Sequence, residues 1–306
     1  MKILIIGLGS IAKKHISAIS ALIPDPLFFA LRSNKNSTTL ENVKNIFEIN
    51  EAPKDIDFII ISNPSNLHAS TIKKVIFLNK PIFIEKPIFN NIESNIEIRN
   101  LINKIGIKTY IACNLRFHPS IIFLKNYIDN NNKKINEVNL YCGSYLPQWR
   151  ANSDYTESYS AKKNMGGGVD LDLIHELDYA IWLFGFPLNY NSTKRKISQL
   201  KIDSFDYCLY NLKYYEFNLS IILNYYRITP KREIEIVFED DILICNLLNA
   251  EIRNSKNEII FFDNSYNINK TYLSQAEYFI NKLKNDDPYM NNLDESFEIL
   301  KIALHE

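Results

Sequence analysis

The 306-residue chain is predicted to be an α/β protein: a doubly wound parallel sheet, then an α+β domain with an open-faced, mostly antiparallel sheet. Three observations predict this. Residues 1–113 alternate short apolar runs with helical patterns. From about Phe117 the runs lengthen and alternate apolar with polar residues. Five of only eight glycines sit in two places, Gly7 with Gly9 and Gly166 to Gly168, which marks turns where no side chain fits.

The elements follow in order. Ile3–Ile6, Leu27–Leu31, Phe58–Ser62, Ile82–Ile84 and Thr109–Ala112 are short, β-branched or aromatic, and almost free of charge. That is the composition of strands covered on both faces. Ile11–Leu22, Ala69–Leu78 and Ile92–Lys104 between them carry helical patterns, so repeated β-α-β units are expected. Further on come a helix at Ser120–Tyr127, a strand at Glu137–Tyr145, a polar loop and a helix over 169–184. In Phe217–Tyr225 the residues Phe217, Leu219, Ile221, Leu223 and Tyr225 share one face, and in Glu233–Glu239 Ile234, Ile236 and Phe238 do. Such alternation indicates antiparallel strands with one covered face. The helix at 169–184 is the expected cover. The other face holds aromatic residues, Tyr226 among them, and is a candidate homodimer or homotetramer contact. Helices near 272–285 and 293–304 close the chain. The expected domains are 1–117 and 118–306, with the last helix able to pack back on the first.

Composition excludes several classes. Lys+Arg and Asp+Glu both number 35, so no basic field exists to hold nucleic acid. The densest cationic run, Lys194-Arg195-Lys196, is expected to be a solvated loop or strand end. Four dispersed cysteines form no CxxC, which points to reduced thiols rather than disulfides or a metal site. No run approaches the ~20 apolar residues of a membrane span, and the apolar start is too short for a secretory signal. A cytoplasmic protein is expected.

Gly7-Leu8-Gly9-Ser10-Ile11-Ala12 is GxGxxA, directly after an apolar strand and directly before a helix. Gly7 permits the tight turn, Gly9 lets the backbone approach a pyrophosphate, and Ala12 keeps the helix close to the sheet. Ser10 and Ile11 open that helix, whose N-terminus attracts negative charge. The chemistry is that of a dinucleotide site. An NAD-type site places Asp or Glu at the end of the second strand. Here Ala30-Leu31-Arg32-Ser33 has no acid. A guanidinium at Arg32, with the Ser33 hydroxyl, suits a 2′-phosphate, so NADP(H) is favoured over NAD(H). A solvated Arg32, or one stacked on adenine, is the alternative.

Asn63-Pro64-Ser65-Asn66-Leu67-His68, Glu85-Lys86-Pro87 and Gly166 to Asp178 follow in order. Together with GxGxxA this order resembles the Gfo/Idh/MocA oxidoreductases, from Met1 to about Gly185. The resemblance implies an N-terminal Rossmann domain, a C-terminal domain with an open-faced sheet, and an active site in the cleft between them. It implies that Asn63, Pro64 and His68 line the cofactor pocket, Pro64 and His68 on its nicotinamide side. It implies that Glu85 and Lys86 lie on the loop that sets a lysine beside nicotinamide and substrate. Asn114-Leu115-Arg116-Phe117-His118-Pro119 matches the interdomain segment, with Asn114 a candidate nicotinamide contact. The stretch from Tyr145 to Arg150, with Asp154-Tyr155 and Tyr159-Ser160-Ala161, is similar to members of surface-polysaccharide sugar pathways.

Oxidising a secondary alcohol needs a hydride acceptor and a base. Lys86 and His175 are the candidate bases. Asp172, three residues before His175, falls on the same helical face with Glu176 and Tyr179 as a polar stripe. Leu173, Leu177, Ile181 and Phe184 form the packed face. The family spaces its acid four residues before the histidine, where this chain has Leu171. Arg116, Arg150, Tyr159, Asp172 and His175 are the candidate substrate contacts. For each arginine a structural salt bridge is the alternative. His15 is expected to be structural or solvated. The activity so indicated is hydride transfer between nicotinamide and a sugar or sugar derivative. Two alternatives are a non-catalytic NADP-binding sensor or scaffold, and an epimerase- or glycosidase-type enzyme that uses the cofactor transiently.

Overall fold

The computed structural model describes residues 1–35, 38–150 and 153–305. Its first elements are β1 (Lys2–Ile6), α1 (Ser10–Leu22), β2 (Leu27–Leu31), β3 (Val43–Ile46), β4 (Phe58–Ile61), α2 (His68–Val75), β5 (Ile82–Glu85), α3 (Ile96–Ile105) and β6 (Thr109–Ala112). Then come α4 (Pro119–Asn130), β7 (Ile135–Tyr145), α5 (Val169–Asp172), α6 (Ile174–Phe184), β8 (Asn189–Arg195), β9 (Tyr207–Lys213), β10 (Asn218–Asn224) and β11 (Tyr226–Phe238). The last are β12 (Ile242–Asn246), β13 (Glu251–Arg253), β14 (Ile259–Phe262), α7 (Ile268–Lys284) and α8 (Leu293–Leu304).

The chain forms two compact units, Met1–Asn114 with Ile268–Leu300, and Leu115–Asn267 with Lys301–Glu306. A continuous second domain over 118–306 therefore needs correcting. Ala276, Phe279 and Ile280 of α7 share one core with Ile3, Ile5, Phe28, Phe58 and Phe83. The apolar face of α7 is buried there, and that burial draws the returning chain to the first unit.

The first unit holds six strands, all parallel, in the order β3-β2-β1-β4-β5-β6. This is the doubly wound arrangement, with the order reversing beside β1. Ile3, Leu4, Ile5, Phe58, Ile59 and Ile60 are all fully buried, which is why these runs show no polar alternation. β3 escaped sequence reading. Its four residues Val-Lys-Asn-Ile carry a charge and an amide, which an edge strand tolerates.

The second unit holds an eight-stranded sheet in the order β14-β13-β12-β11-β7-β10-β9-β8. The β7–β10 pair is parallel and the other pairs are antiparallel. Leu219, Ile221, Leu223, Ile234 and Ile236 are fully buried on one face, as their spacing predicts. The expected helix over 169–184 is broken at Leu173 (φ −101°, ψ 21°) into α5 and α6. Lys194 is not solvated. Its side chain is 3% exposed and its ammonium lies 3.2 Å from Asp170, so β8 brings a cation inward to a buried acid. Burial pushes the Asp170 carboxyl up, against the pull of Lys194.

Candidate active site

At the C-terminal ends of β1, β2, β3 and β4 lies a cleft of about 790 Å³. Ligands of doubly wound sheets sit at that edge. Gly7, Gly9, Arg32, Ser33, Asn63 and Pro64 all line it. Gly7 adopts φ +89°, and a Cβ there would stand 2.5 Å from the Asn63 backbone nitrogen. Only glycine lets β1 turn this close to the end of β4. The Ser62 hydroxyl fixes the turn by donating to the Gly7 carbonyl at 2.7 Å.

Gly9 is the N-cap of α1. It offers no side-chain cap, and the first turn holds no acid. A Cβ at Gly9 would meet nothing within 4 Å. The first amides of α1 therefore face open space, which suits an anion. Ser10 and Ile11 stand in that first turn. Asn63 donates to the Thr71 hydroxyl at 2.7 Å, while its own Oδ1 is buried without a hydrogen-bond partner among the described residues. Arg32 is pinned by its backbone, whose N–H donates to the Ile46 carbonyl at 2.9 Å. Sequence reading missed Phe47, Glu48 and Lys74 in this cleft. Phe47 and Glu48 follow β3, so missing that strand hid them. The Glu48 carboxylate accepts from the Glu51 N–H in a capping box, which ties it to its own turn. An open helix N-terminus, an orphaned amide oxygen and a guanidinium at the end of β2 fit a dinucleotide.

Other expected cofactor contacts have inward tasks. His68 is 1% exposed, and its ring nitrogens face the Ile88 carbonyl at 3.0 Å and the Asn63 carbonyl at 2.9 Å. Burial lowers its pKa, although both carbonyls favour the imidazolium. His68 thus ties two loops together rather than presenting its ring to a ligand, which corrects its expected place on the pocket wall. The Glu85 carboxylate meets His15 at 2.5 Å, inside the unit. Asn114 donates to the Thr271 hydroxyl at 2.7 Å. Lys86 follows the last residue of β5 and is half-buried.

The second unit gathers the remaining candidates. Gly167 passes so close to the Tyr159 carbonyl that a Cβ would stand 2.1 Å from it. This approach packs the Tyr159 segment against the start of α5. There Tyr225 donates to Asp172 Oδ2 at 2.5 Å. The Asp172 carboxylate, with burial, pushes the Tyr159 hydroxyl above the ordinary phenol range. The Arg150 guanidinium lies 5.2 Å from the centre of the Tyr159 ring. Asp172, Tyr159 and Arg150 are therefore brought together, with Tyr225 added.

His175 opens α6 on a different cluster. Its Nε2 is 3.1 Å from Glu176, which is fully buried. Glu176 also accepts from Arg232 Nε at 2.9 Å and from the Tyr179 hydroxyl at 2.6 Å. Burial would raise the Glu176 carboxyl, but Arg232 and His175 outweigh it and hold it at about 2. The expected polar stripe of Glu176 and Tyr179 is thus a buried ionic network, because β11 supplies Arg232 against it. No sequence signal marked Arg232, one of two arginines in an alternating strand.

Arg116 needs correcting. It is 2% exposed and grips Asp178 bidentately, Nε and Nη2 each at 2.8 Å. This buried fork holds α6 to the segment before α4 and leaves no guanidinium for a substrate. Among the described residues no group of three or more His, Cys, Asp or Glu could hold a metal ion. No described helix is long and apolar enough to cross a membrane.

Residues 1–111 match the family described as "Oxidoreductase family, NAD-binding Rossmann fold", GFO_IDH_MocA. The chain is 28% identical over 189 residues to the uncharacterized oxidoreductase YrbE of Bacillus subtilis strain 168, covering 59% of this chain and 53% of that protein. The match thus spans about half the length of this curated relative. Among solved structures, levoglucosan dehydrogenase in complex with NADH superposes with a TM-score of 0.86 at 17% identity, covering 99% of this chain and 95% of that one. The UDP-N-acetylglucosamine 3-dehydrogenase GnnA from Acidithiobacillus ferrooxidans gives 0.79 at 16% identity, with coverage of 99% and 95%. A myo-inositol dehydrogenase from Corynebacterium glutamicum gives 0.77 at 18% identity, with coverage of 99% and 94%.

Proposed function

We propose, from the premise that this chain belongs to the Gfo/Idh/MocA oxidoreductases, that it transfers a hydride between NADP(H) and a hydroxyl or keto carbon of a sugar or sugar derivative. Nucleotide-linked sugars are the finer class within this proposal. The observation that carries it is the cleft, where the open N-terminus of α1 and the Arg32 guanidinium stand without a competing carboxylate at the end of β2. Glu48, the nearby acid, follows β3 rather than β2 and accepts the Glu51 N–H in a capping box. The names of the similar structures, dehydrogenases of levoglucosan, a UDP-sugar and myo-inositol, support the substrate class.

Nicotinamide, when bound, supplies the hydride acceptor. The chain supplies the proton path. A substrate alcohol cedes its proton to His175 or Lys86 on oxidation and regains it on reduction. Glu176, ionised and 3.1 Å from His175, stabilises the imidazolium that forms. Asp172, oriented by the Tyr225 hydroxyl, accepts a substrate hydroxyl, and Arg150 with Tyr159 frames the bound sugar. A homodimer or homotetramer through the uncovered face of the second sheet belongs to the same proposal.

The test is turnover of a panel of polyols, free sugars and UDP-sugars with NADP⁺ and NAD⁺, followed by the absorbance of the reduced nicotinamide. NADP⁺-dependent oxidation of at least one member is expected. Cofactor binding without turnover or substrate C–H exchange across the panel would favour a sensor. Solvent deuterium entering substrate carbon without net reduction would favour transient cofactor use.

A further inference from the structure

We propose that His15 is a positioning residue that acts through Glu85 to fix the strand end carrying Lys86. Its functional weight rests on the proposed role of Lys86. α1 leaves the Gly7–Gly9 turn and presents His15 to the sheet, where the residue is 2% exposed. Its Nε2 meets Glu85 Oε1 at 2.5 Å. Glu85 is the last residue of β5, in register with Ala112 of β6, and its side chain is 12% exposed. Phe83, two residues earlier, lies on the same side of the strand, and its ring meets the imidazole edge-on at 4.8 Å. Tyr272 of α7 adds a second edge contact at 5.8 Å, and the Lys14 ammonium sits 4.8 Å from that tyrosine ring. The imidazole is therefore boxed by α1, β5 and α7, and Glu85 is its one polar partner among the described residues.

A buried carboxylate that loses its partner must find another or reach water. For Glu85 the nearest escape is the loop it opens, and Lys86 is the first residue of that loop. Moving the Glu85 backbone moves Lys86 with it. A lysine that acts on a substrate proton must be held within hydrogen-bond reach, so this anchor bears on the rate more than on binding. The helix that offers its N-terminus to the pyrophosphate and the strand that carries the lysine are thereby locked by one side-chain bond.

The test labels all lysines competitively with acetic anhydride and reads Lys86 against the exposed Lys104 by mass spectrometry. Amide exchange at Glu85, Lys86 and Ile88 is measured beside it. In the intact chain these amides should exchange as slowly as those of Ile82–Ile84, and fast exchange there overturns the proposal. His15→Phe keeps a ring against Phe83 and Tyr272 but removes the nitrogen. It should change relative Lys86 labelling and local exchange by about tenfold, the size of one lost hydrogen bond. His15→Gln, whose amide restores a donor, should return both to within about twofold. A folded His15→Phe protein with unchanged labelling and exchange would overturn the proposal. With a substrate in hand, His15→Phe should lower kcat with little change in KM, and should add nothing in a Lys86→Ala background. If Lys86→Ala itself turns over normally, the role of Lys86 fails while the labelling result still decides the anchor.

Discussion

Glu85 and Glu176 hold matching places in the two units and are partnered by different chemistry. Each is buried, and each is the neighbour in sequence of a proposed proton carrier, Lys86 or His175. Glu85 meets one imidazole, His15, at 2.5 Å. Glu176 meets a guanidinium, a phenol and the imidazole of His175 itself. A guanidinium keeps its charge at any working pH. The His175 side is thus a fixed electrostatic support. The Lys86 side rests on the His15–Glu85 hydrogen bond, the one that either side chain makes among the described residues. One acid sets charge and the other sets position.

The largest effect should come from the proton carriers. His175→Ala and Lys86→Ala should each lower turnover by about 10²–10⁴-fold, the usual worth of a general acid–base group, while NADPH still binds. Steady-state kinetics of the two variants checks this. Normal turnover in either one removes that residue and breaks the comparison on its side.

Next comes the support itself. Arg232→Met leaves Glu176 buried without its cation and should cost about 3–5 kcal/mol in urea unfolding. The pH dependence sharpens the point. Glu176 is held at about 2 in the folded chain against an ordinary 4.5. A carboxyl depressed on folding contributes stability that is complete above the unfolded value and lost as pH falls toward the folded one. Intact protein should therefore lose up to about 1.4 kcal/mol per pH unit from this group between about 4.5 and 2. Arg232→Met should flatten that slope. An unchanged slope would mean that Arg232 does not hold Glu176 ionised.

Arg116 with Asp178 is the control for both sides, a buried charge pair with no role in the proposed proton path. Arg116→Met alone should cost about 3–5 kcal/mol, and Arg116→Met with Asp178→Leu should recover most of it. Substrate KM in the double variant should stay within about threefold of the intact chain. A much larger rise in KM would return Arg116 to the substrate site.

The sequence made visible what depends on period and on glycine. Uncharged runs marked the inner strands of the first sheet, and alternation marked β10 and β11. The Gly7–Gly9 turn lies in the cleft, and Arg32 and Ser33 line it. What stayed hidden depends on long-range partners. β3 is four residues with a lysine and an asparagine, so Phe47 and Glu48 went unseen. The break at Leu173 turns Asp172 toward Tyr225 and leaves His175 with Glu176, which helical spacing cannot show. Arg116 read as a substrate contact or a salt bridge, Lys194 as a solvated loop or strand-end residue, and His68 as part of the cofactor wall. Only the fold brings Asp178, Asp170 and two carbonyls to meet them.

A calorimetric titration of the folded protein with NADPH and with NADH, repeated on Arg32→Ala, decides whether the cleft holds a 2′-phosphate. NADPH should bind the tighter of the two. Arg32→Ala should weaken NADPH by about 10–100-fold, the worth of charge-assisted hydrogen bonds to a phosphate, and leave NADH almost unchanged. Tighter NADH binding, or NADPH binding indifferent to Arg32→Ala, would contradict the 2′-phosphate assignment. Binding of neither dinucleotide would contradict the cleft as a cofactor site.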